Sequence, residues 1–256
     1  MKKFSCWVAA AAGLAALSGA GNVLAQATVK EDGQWRAALG ASYVSSGGNT
    51  RSTTLSGMAD AVRATAGDKT QLYANALYGS NQGTKTADLW RLGAKQDWNL
   101  TSQLYAFGLA EAERDTIAAL QSRLTLGGGV GWKFVNTDTL KFDVFGGGGF
   151  VADDYRGQRL LDGSLRSSYS YPTLLAGEES VHKFGQSTTA RQRAVVYPNL
   201  RNRGEYRALW DGGIAVPATQ SMNLTAGVSL KFNSDPGAGF KRADTLVTTG
   251  ISVKFD

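Results

Sequence analysis

Hydrophobic and polar residues alternate with a period of two along most of the chain. In residues 88–98, one parity carries Trp90, Leu92, Ala94 and Trp98, and the other carries Arg91, Lys95 and Asp97. The same pattern recurs in residues 122–134, 204–216, 223–232 and 247–255. Strict alternation over eight or more residues is typical of strands and not of helices. The pattern therefore predicts an all-β protein of about twelve strands.

We place these strands at residues 34–45, 51–65, 69–80, 86–99, 103–114, 119–135, 139–151, 173–184, 189–198, 203–216, 222–234 and 243–255. Most of them run for roughly 10–15 residues, whereas strands of soluble proteins cluster near 5–6 and a tilted membrane-spanning strand needs about 9–11. The eighth and ninth alternate poorly. The lengths favour strands that cross a membrane.

Two further features favour a membrane barrel over a soluble sandwich. The polar parity carries glycine, threonine, serine and charged residues, so the barrel would be wet inside and apolar outside. Aromatic residues lie near strand ends, as they do in interfacial girdles: Trp35, Tyr43, Trp98, Tyr105, Trp132, Phe232 and Phe255. We predict a transmembrane antiparallel up-and-down β-barrel of about 12 strands, in which Tyr105, Phe107 and Leu109 face lipid.

The connections agree with a barrel whose termini are both periplasmic. In such a barrel the outward connections are the longer ones. The longest connection, about 20 residues near 152–172, falls on the outward side of this topology. All four prolines (Pro172, Pro198, Pro217 and Pro236) would lie in connections or at strand ends, where a missing N–H breaks no ladder bond.

The first residues have the layout of a secretory signal peptide. A basic start, Met1-Lys2-Lys3, precedes an apolar stretch at residues 7–20 that is too short to span a bilayer. Cleavage is expected after Ala25 or Ala27. Residues 1–25 would then be removed, and residues 26–256 would form a single outer-membrane β-barrel domain in the cell outer membrane.

Composition removes several classes of function. The formal net charge is +6, but no block of five like charges points to nucleic acid. The single cysteine, Cys6, leaves with the signal peptide, which removes disulfide and Cys-based zinc chemistry. Glycine is abundant, with 32 in 256 residues, but the run GGGVG lacks the Lys-Ser of a phosphate-binding loop. We expect neither a metal nor a cofactor.

Four segments carry a family resemblance: GNTRSTTLSG (48–57), ERDTIAALQSRLTLGGGVGW (113–132), YRALWDGGIAV (206–216) and NSDPGAGFKRADTLVTTGISVKF (233–255). In this order they resemble the YdiY-like family, a domain of unknown function whose members are described as salt-induced outer-membrane proteins. The resemblance covers nearly the whole mature chain. It implies an outer-membrane barrel with a link to salt or osmotic stress, and it assigns no catalytic or binding residues to this chain.

The charged residues of the polar parity are the candidate functional set. The positions expected to line the lumen are Arg91, Lys95, Asp97, Arg123, Lys133, Glu205, Arg207 and Asp211, with Arg36, Asp60, Lys141, Asp143, Lys231 and Lys254 on the same parity. In one interpretation these residues form salt-bridge ladders that plug the barrel. In the other they line a narrow pore, where an excess of cations favours anions. Twelve strands is a size that permits either.

A single histidine and one group of charged residues are the other candidate sites. His182, the only histidine, could serve as a base for a nearby serine, but we expect it near the periplasmic end, away from outer-leaflet lipid. Glu111, Glu113, Arg114 and Asp115 lie at the outward end of the fifth strand, where carboxylates could bridge calcium or lipopolysaccharide. Glu111 shares the parity of Tyr105, so either it lies above the hydrocarbon or a bulge intervenes.

The sequence thus favours a non-enzymatic outer-membrane barrel with a structural or narrow-channel role and no catalytic residues. Two alternatives remain open: a barrel-embedded lipid-acting hydrolase that uses His182, and a soluble periplasmic ligand-binding β-barrel. Expected partners are outer-membrane lipid, lipopolysaccharide, small ions or solutes, and the barrel assembly machinery. The assembly machinery would recognise the last strand, which ends at Phe255. Such strands usually end in an aromatic residue, whereas here Asp256 follows Phe255.

Overall fold

The fold is described from a computed structural model, which describes residues 27–47, 51–161, 163–185, 188–237 and 240–255. The expected signal peptide and a cleavage site after Ala25 lie outside these ranges. No helix within them is long and apolar enough to cross a membrane.

Twelve strands make up the described chain. They are β1 (Trp35–Ser46), β2 (Ser52–Ala64), β3 (Asp68–Asn81), β4 (Thr84–Asn99), β5 (Leu104–Asp115), β6 (Leu120–Asn136), β7 (Leu140–Leu161), β8 (Ser164–Phe184), β9 (Thr188–Pro198), β10 (Tyr206–Pro217), β11 (Met222–Asn233) and β12 (Ala243–Phe255). Each strand pairs antiparallel with its neighbours in sequence.

The sheet closes on itself where the first and last strands meet. β1 pairs with β12 over five residues, from Ala37 opposite Phe255 to Ala41 opposite Ile251. The twelve-stranded up-and-down barrel expected from the alternation is therefore confirmed. We call the end that holds both chain termini the termini end, and the opposite end the far end.

The expectation of a long connection near residues 152–172 is wrong. β7 continues to Leu161 and β8 begins at Ser164, so the two strands form a long hairpin beyond the far end. Alternation persists there with tyrosines in place of aliphatic residues: Tyr169 and Tyr171 are buried and face the lumen. Alternation of aliphatic residues does not reveal this extension, because its inward side chains are tyrosines. Tyrosine suits a wet inner face, since its ring is apolar and its hydroxyl is polar.

Pro172 consequently lies inside β8, and the expectation that it falls in a connection is also wrong. Its partner on β7 is Phe150, while on its other side β9 has already ended at Pro198. The amide of Leu200 still donates to the Pro172 carbonyl over 3.0 Å. The missing N–H of Pro172 thus points to a side where the ladder is finishing, which is where strands tolerate proline.

The two faces of the barrel differ as the alternation predicts. The outer face carries large apolar side chains that are about half exposed, including Leu39, Leu92, Leu126, Val130 and Leu224. Aromatic residues on it include Trp35, Tyr43, Trp98, Trp132 and Phe255. The inner face is mostly polar, with Arg91, Asp97, Asp153 and Ser252 all buried.

β5 reverses the expected assignment of its two faces. Tyr105 and Phe107 are 1% and 3% exposed, and they pack inside the barrel with Phe145, Leu175 and Val195. The aromatic parity of β5 therefore faces the lumen, and Tyr105 is not part of an outer girdle.

The reason for this inversion lies on the neighbouring strand. Tyr105 pairs with Gly131 of β6, and a Cβ added to Gly131 would overlap the Tyr105 ring. Tyr73 lies in the same way over Gly93 on β4. A glycine on the inner wall leaves a space that a flat ring fills, so the ring is accommodated inside.

Candidate functional site: a charged lumen

The first row of charges crosses four neighbouring strands of the inner wall. Arg91 of β4 faces Glu113 of β5, Glu113 faces Arg123 of β6, and Arg123 faces Asp153 of β7. Arg123 holds Asp153 through two bonds of 2.6 Å, from Nε to Oδ1 and from Nη2 to Oδ2. Directly opposed charges of alternating sign stabilise a sheet, and bidentate Arg–carboxylate pairs fix geometry as well.

Arg91 is shared by two carboxylates. Its Nη2 lies 3.0 Å from Glu111 Oε1 and 3.9 Å from Glu113 Oε2. The hydroxyl of Tyr73 donates to Glu111 Oε2 over 2.5 Å. Arg91, Glu111 and Glu113 are buried and Tyr73 is half-buried, so the charges are compensated within the lumen rather than by bulk water.

The second row runs closer to the termini end across β6 to β10. It places Lys133 opposite Asp143, Asp143 opposite Glu179, Glu179 opposite Arg193, and Arg193 opposite Asp211. Its weak point is the pair of neighbouring carboxylates, Asp143 and Glu179, because like charges directly opposite destabilise a sheet.

Lys95 from β4 compensates this pair. Its Nζ lies 3.5 Å from Glu179 Oε2 and 3.3 Å from Asp97 Oδ1. Three rings surround the same ammonium, those of Tyr105, Phe107 and Phe145, with centroids 5.5, 5.6 and 5.3 Å away. The inward aromatic parity of β5 thus builds a cage for a cation that the protein itself supplies.

The pair of Lys231 and Glu113 crosses the full width of the lumen. Lys231 Nζ of β11 lies 2.6 Å from Glu113 Oε1 of β5. These strands are six positions apart in the ring of twelve, so they stand on opposite walls. Two side chains that meet from opposite walls occupy the space between them, and the lumen is filled at this level.

The far mouth is covered by the β7–β8 hairpin. Arg159 donates to the carbonyls of Ala118 and Pro236, the latter over 3.2 Å. Its guanidinium also lies 4.2 Å from the ring centroid of Phe240 and 4.4 Å from that of Tyr155. Arg159 therefore ties the hairpin to the β5–β6 and β11–β12 connections.

The termini end holds a cavity of about 250 Å³. It extends from Glu111, well inside β5, to Asn136 at the end of β6 and Asp138 in the turn between β6 and β7. A single water needs only about 10–15 Å³ by the same measure. The cavity can therefore hold many waters or a small solute.

Residues 27–34, which we call the N-terminal strap, line part of this cavity. Ala27 is 2% exposed and packs against Ala38 and Val62 of the inner wall. Its carbonyl accepts a 3.2 Å hydrogen bond from Arg191 Nη2 of β9. At the other end of the strap, Arg36 donates to the Asp32 carboxylate over 2.8 and 2.6 Å.

Two groups outside the strands have shifted acidities. The hydrogen bonds from Arg36 hold the pKa of Asp32 well below its usual range. Burial raises the pKa of Glu205, against the opposing effect of hydrogen bonds from Asn199 and Asn202.

Seven of the eight residues expected in the lumen lie on inner-face positions: Arg91, Lys95, Asp97, Arg123, Lys133, Arg207 and Asp211. The eighth, Glu205, lies in the turn before β10, where it accepts from Asn199 over 2.8 Å and lines a small pocket at the far end. Sequence reasoning missed Glu111, Glu113, Asp153, Glu179, Arg191 and Arg193, which also face inward.

The positions of these carboxylates differ from what the sequence led us to expect. Glu111 and Glu113 face inward and pair with Arg91 and Lys231, and Glu111 shares the inner face with Tyr105. A register shift between Glu113 and Asp115 does occur, but it follows these residues. With Asp153 and Glu179 they add four carboxylates to the lumen, while Arg191 and Arg193 add two cations.

His182 lies near the termini end of β8, opposite Leu140. It is half buried on the outer parity, and its ring stacks on Phe184 with centroids 6.1 Å apart. Across the described ranges, no group of three or more His, Cys, Asp or Glu side chains is placed to hold a metal ion.

Together these features define a closed twelve-stranded β-barrel with an apolar outer face and a charged lumen that an ion pair bridges near its far end. The chain belongs to the family described as "Protein of unknown function, DUF481", whose pattern matches residues 39–255. This is the family that includes the YdiY-like proteins.

Solved structures with a similar fold include three barrels. The NanC porin is 12% identical, with a TM-score of 0.47 over 86% of this chain and 97% of that one. The translocator domain of autotransporter NalP from Neisseria meningitidis is 15% identical, with a TM-score of 0.46 over 86% and 87%. The transport unit of autotransporter AIDA-I from Escherichia coli is 13% identical, with a TM-score of 0.40 over 87% and 89%. A comparison with curated proteins found no match.

Proposed function

We propose that the protein is a non-enzymatic barrel of the Gram-negative outer membrane with a structural role in the envelope, serving cells under salt or osmotic stress. An apolar outer face and a polar inner face are the inverse of a soluble barrel, and they suit lipid outside. The signal peptide expected from the sequence supports export, and the family resemblance supports the stress link. The termini end would face the periplasm and the far end the cell exterior.

The Lys231–Glu113 pair is the observation that carries the structural role. It joins opposite walls near the far ends of β5 and β11, while Arg159 fastens the hairpin over the far mouth. A solute would have to break both to pass. We therefore favour a closed barrel over an open pore.

Planar-bilayer recording of the folded protein tests this proposal. We expect no steady conductance from barrels that show heat-modifiable mobility on a gel. A reproducible steady conductance would favour the second candidate, a narrow channel. The open cavity at the termini end is the observation that supports this candidate.

Two other functions have their own tests. A lipid-acting hydrolase would lose activity on His182→Ala, and we expect no such activity in the wild type. A soluble periplasmic barrel would be recovered in the soluble fraction with no heat-modifiable mobility, and we expect recovery with outer-membrane lipid and lipopolysaccharide instead.

We also propose that the barrel assembly machinery recognises β12. Its outward residues are Val247, Ile251 and Phe255, which are all about half exposed. Phe255→Ala should slow assembly into the membrane. Normal assembly of this variant would remove Phe255 from the signal.

A further inference from the structure

Three cations of the termini-end cavity stand apart from the charge rows. Lys141 of β7 and Arg191 of β9 both face Val181 of β8, and Lys183 lies two residues further along β8. All three line the cavity. Because neighbouring strands are about 4.8 Å apart, this placement gathers three positive charges from three adjacent strands. We call them the basic cluster.

The basic cluster lacks the pairing that other cations of the lumen have. Lys69, Lys95 and Arg193 each form an ion pair with Asp97 or Glu179. Within the part of the chain that the structure describes, no carboxylate lies within 4 Å of Lys141, Lys183 or Arg191. Arg191 donates only to the Ala27 carbonyl, and its buried Nε has no hydrogen-bond partner there.

An unpaired cationic cluster at a cavity wall is costly, because like charges repel and a buried donor loses its water. Glu179 of β8 lies within electrostatic range of Arg191. Glu31 of the strap and Asp143 of β7 lie within electrostatic range of Lys141, as do the cations Lys69 and Lys183. Glu31 therefore stands at the cavity as a carboxylate supplied by the chain itself.

We propose that the termini-end cavity is a binding site for a small multivalent oxyanion, held by Lys141, Lys183 and Arg191. Phosphate and carboxylate oxygens are the acceptors that Lys and Arg bind most strongly. The cavity has room for such a solute, and its lining reaches the turn between β6 and β7, so the solute would enter from the termini end. A purely structural barrel has no need of this site, so the inference goes beyond the proposed function.

The strap gives the site a competitor. Glu31 lines the same cavity and presents the same chemistry as the ligand, within the strap that Arg191 also holds through Ala27. An oxyanion that displaces Glu31 would gain the interactions that Glu31 makes. Removing the Glu31 charge should therefore leave binding intact or make it tighter.

Calorimetric titration of the folded full-length barrel with inorganic phosphate tests the site. We expect saturable binding at millimolar phosphate, weakened about tenfold or more by Lys141→Gln and by Arg191→Gln, since each removes one charged contact. Lys30→Gln is the matched control, because Lys30 is an exposed strap lysine outside the cavity lining. Heat-modifiable gel mobility verifies that each variant is folded.

The titrations have distinct supporting and contradicting outcomes. Loss in the two cluster variants, retention in Lys30→Gln, and unchanged or tighter binding in Glu31→Gln support the site. Absence of saturable binding in the wild type, equal weakening by Lys30→Gln, or weakening by Glu31→Gln overturns it. Conductance does not enter these measurements, so failure here and failure of the closed-barrel proposal are distinguishable.

Discussion

Lys231 Nζ of β11 lies 2.6 Å from Glu113 Oε1 of β5, so one ion pair joins opposite walls of the barrel. Arg91 stands 3.9 Å from the other Glu113 oxygen. Glu113 thus receives a cation from its own side and a cation from across the lumen. This arrangement fixes the spacing of the two walls and fills the passage between them.

A double-mutant cycle on this pair should reveal strong coupling. Lys231→Met and Glu113→Gln each leave the other partner in a buried site. Their effects on the free energy of unfolding should therefore be non-additive by about 1–3 kcal/mol, as found for directly contacting groups. Urea unfolding of the folded barrel measures this.

The control cycle pairs Lys231→Met with Lys30→Gln, which is exposed in the strap. Those two effects should add. Additivity of the Lys231 and Glu113 effects would mean that the crossing pair makes no net contribution.

Replacing Gly131 should destabilise the barrel through Tyr105. A Cβ at Gly131 would overlap the Tyr105 ring, so Gly131→Ala must push the ring out of its packed position. Overpacking of this kind costs about 1–3 kcal/mol of unfolding free energy. Gly57→Ala in β2 is the control, because a Cβ there meets nothing within 4 Å. A Gly131→Ala variant as stable as Gly57→Ala would contradict the proposed packing.

The strap should stay docked in moderately acid solution. The pKa of Asp32 lies below its usual range because Arg36 donates two hydrogen bonds to it. A depressed carboxyl contributes stability above its ordinary value, near 3.9, and loses it only as pH falls through the lower folded value. Hydrogen-exchange protection of residues 27–34 should therefore be equal at pH 7 and pH 5.

Asp32→Asn should reduce this protection at both pH values, because the charge-assisted bonds are lost. Asp138→Asn, which changes an exposed acid in the β6–β7 turn at the same end, should not. A fall in wild-type protection already at pH 5 would show that another group holds the strap.

Arg159 should control access to the lumen from the far end. Cys6 lies in the expected signal peptide, so a single probe such as Thr125→Cys on the buried inner wall can be labelled selectively. Arg159→Ala removes the contacts to Ala118, Pro236 and Phe240, and it should raise the labelling rate several-fold. Arg156→Ala, an exposed arginine on the same hairpin, should leave the rate unchanged.

The barrel follows from alternation, because a period of two places one apolar set outside on nearly every strand. β4 is an example: Trp90, Leu92 and Trp98 lie outside, while Arg91 and Asp97 lie inside. Alternation by itself does not say which parity faces out. In β5 both parities carry apolar residues, and the choice depends on Gly131 of β6, which leaves room for the Tyr105 ring.

The charge rows depend on register, which a single strand does not encode. Asp153 was expected in a connection, and it becomes the partner of Arg123 only because β7 continues past it. Likewise, the contact between Lys231 and Glu113 depends on closure of the ring, which places residues 118 positions apart face to face. The inward position of Arg193 was obscured by the poor alternation of β9.

The closed lumen is the central claim, and single-channel recording tests it most directly. Folded, heat-modifiable barrels reconstituted in a planar bilayer should give no steady conductance, because the Lys231–Glu113 pair and the Arg159-fastened hairpin both block the path. A steady conductance carried by the folded wild-type protein would contradict the account.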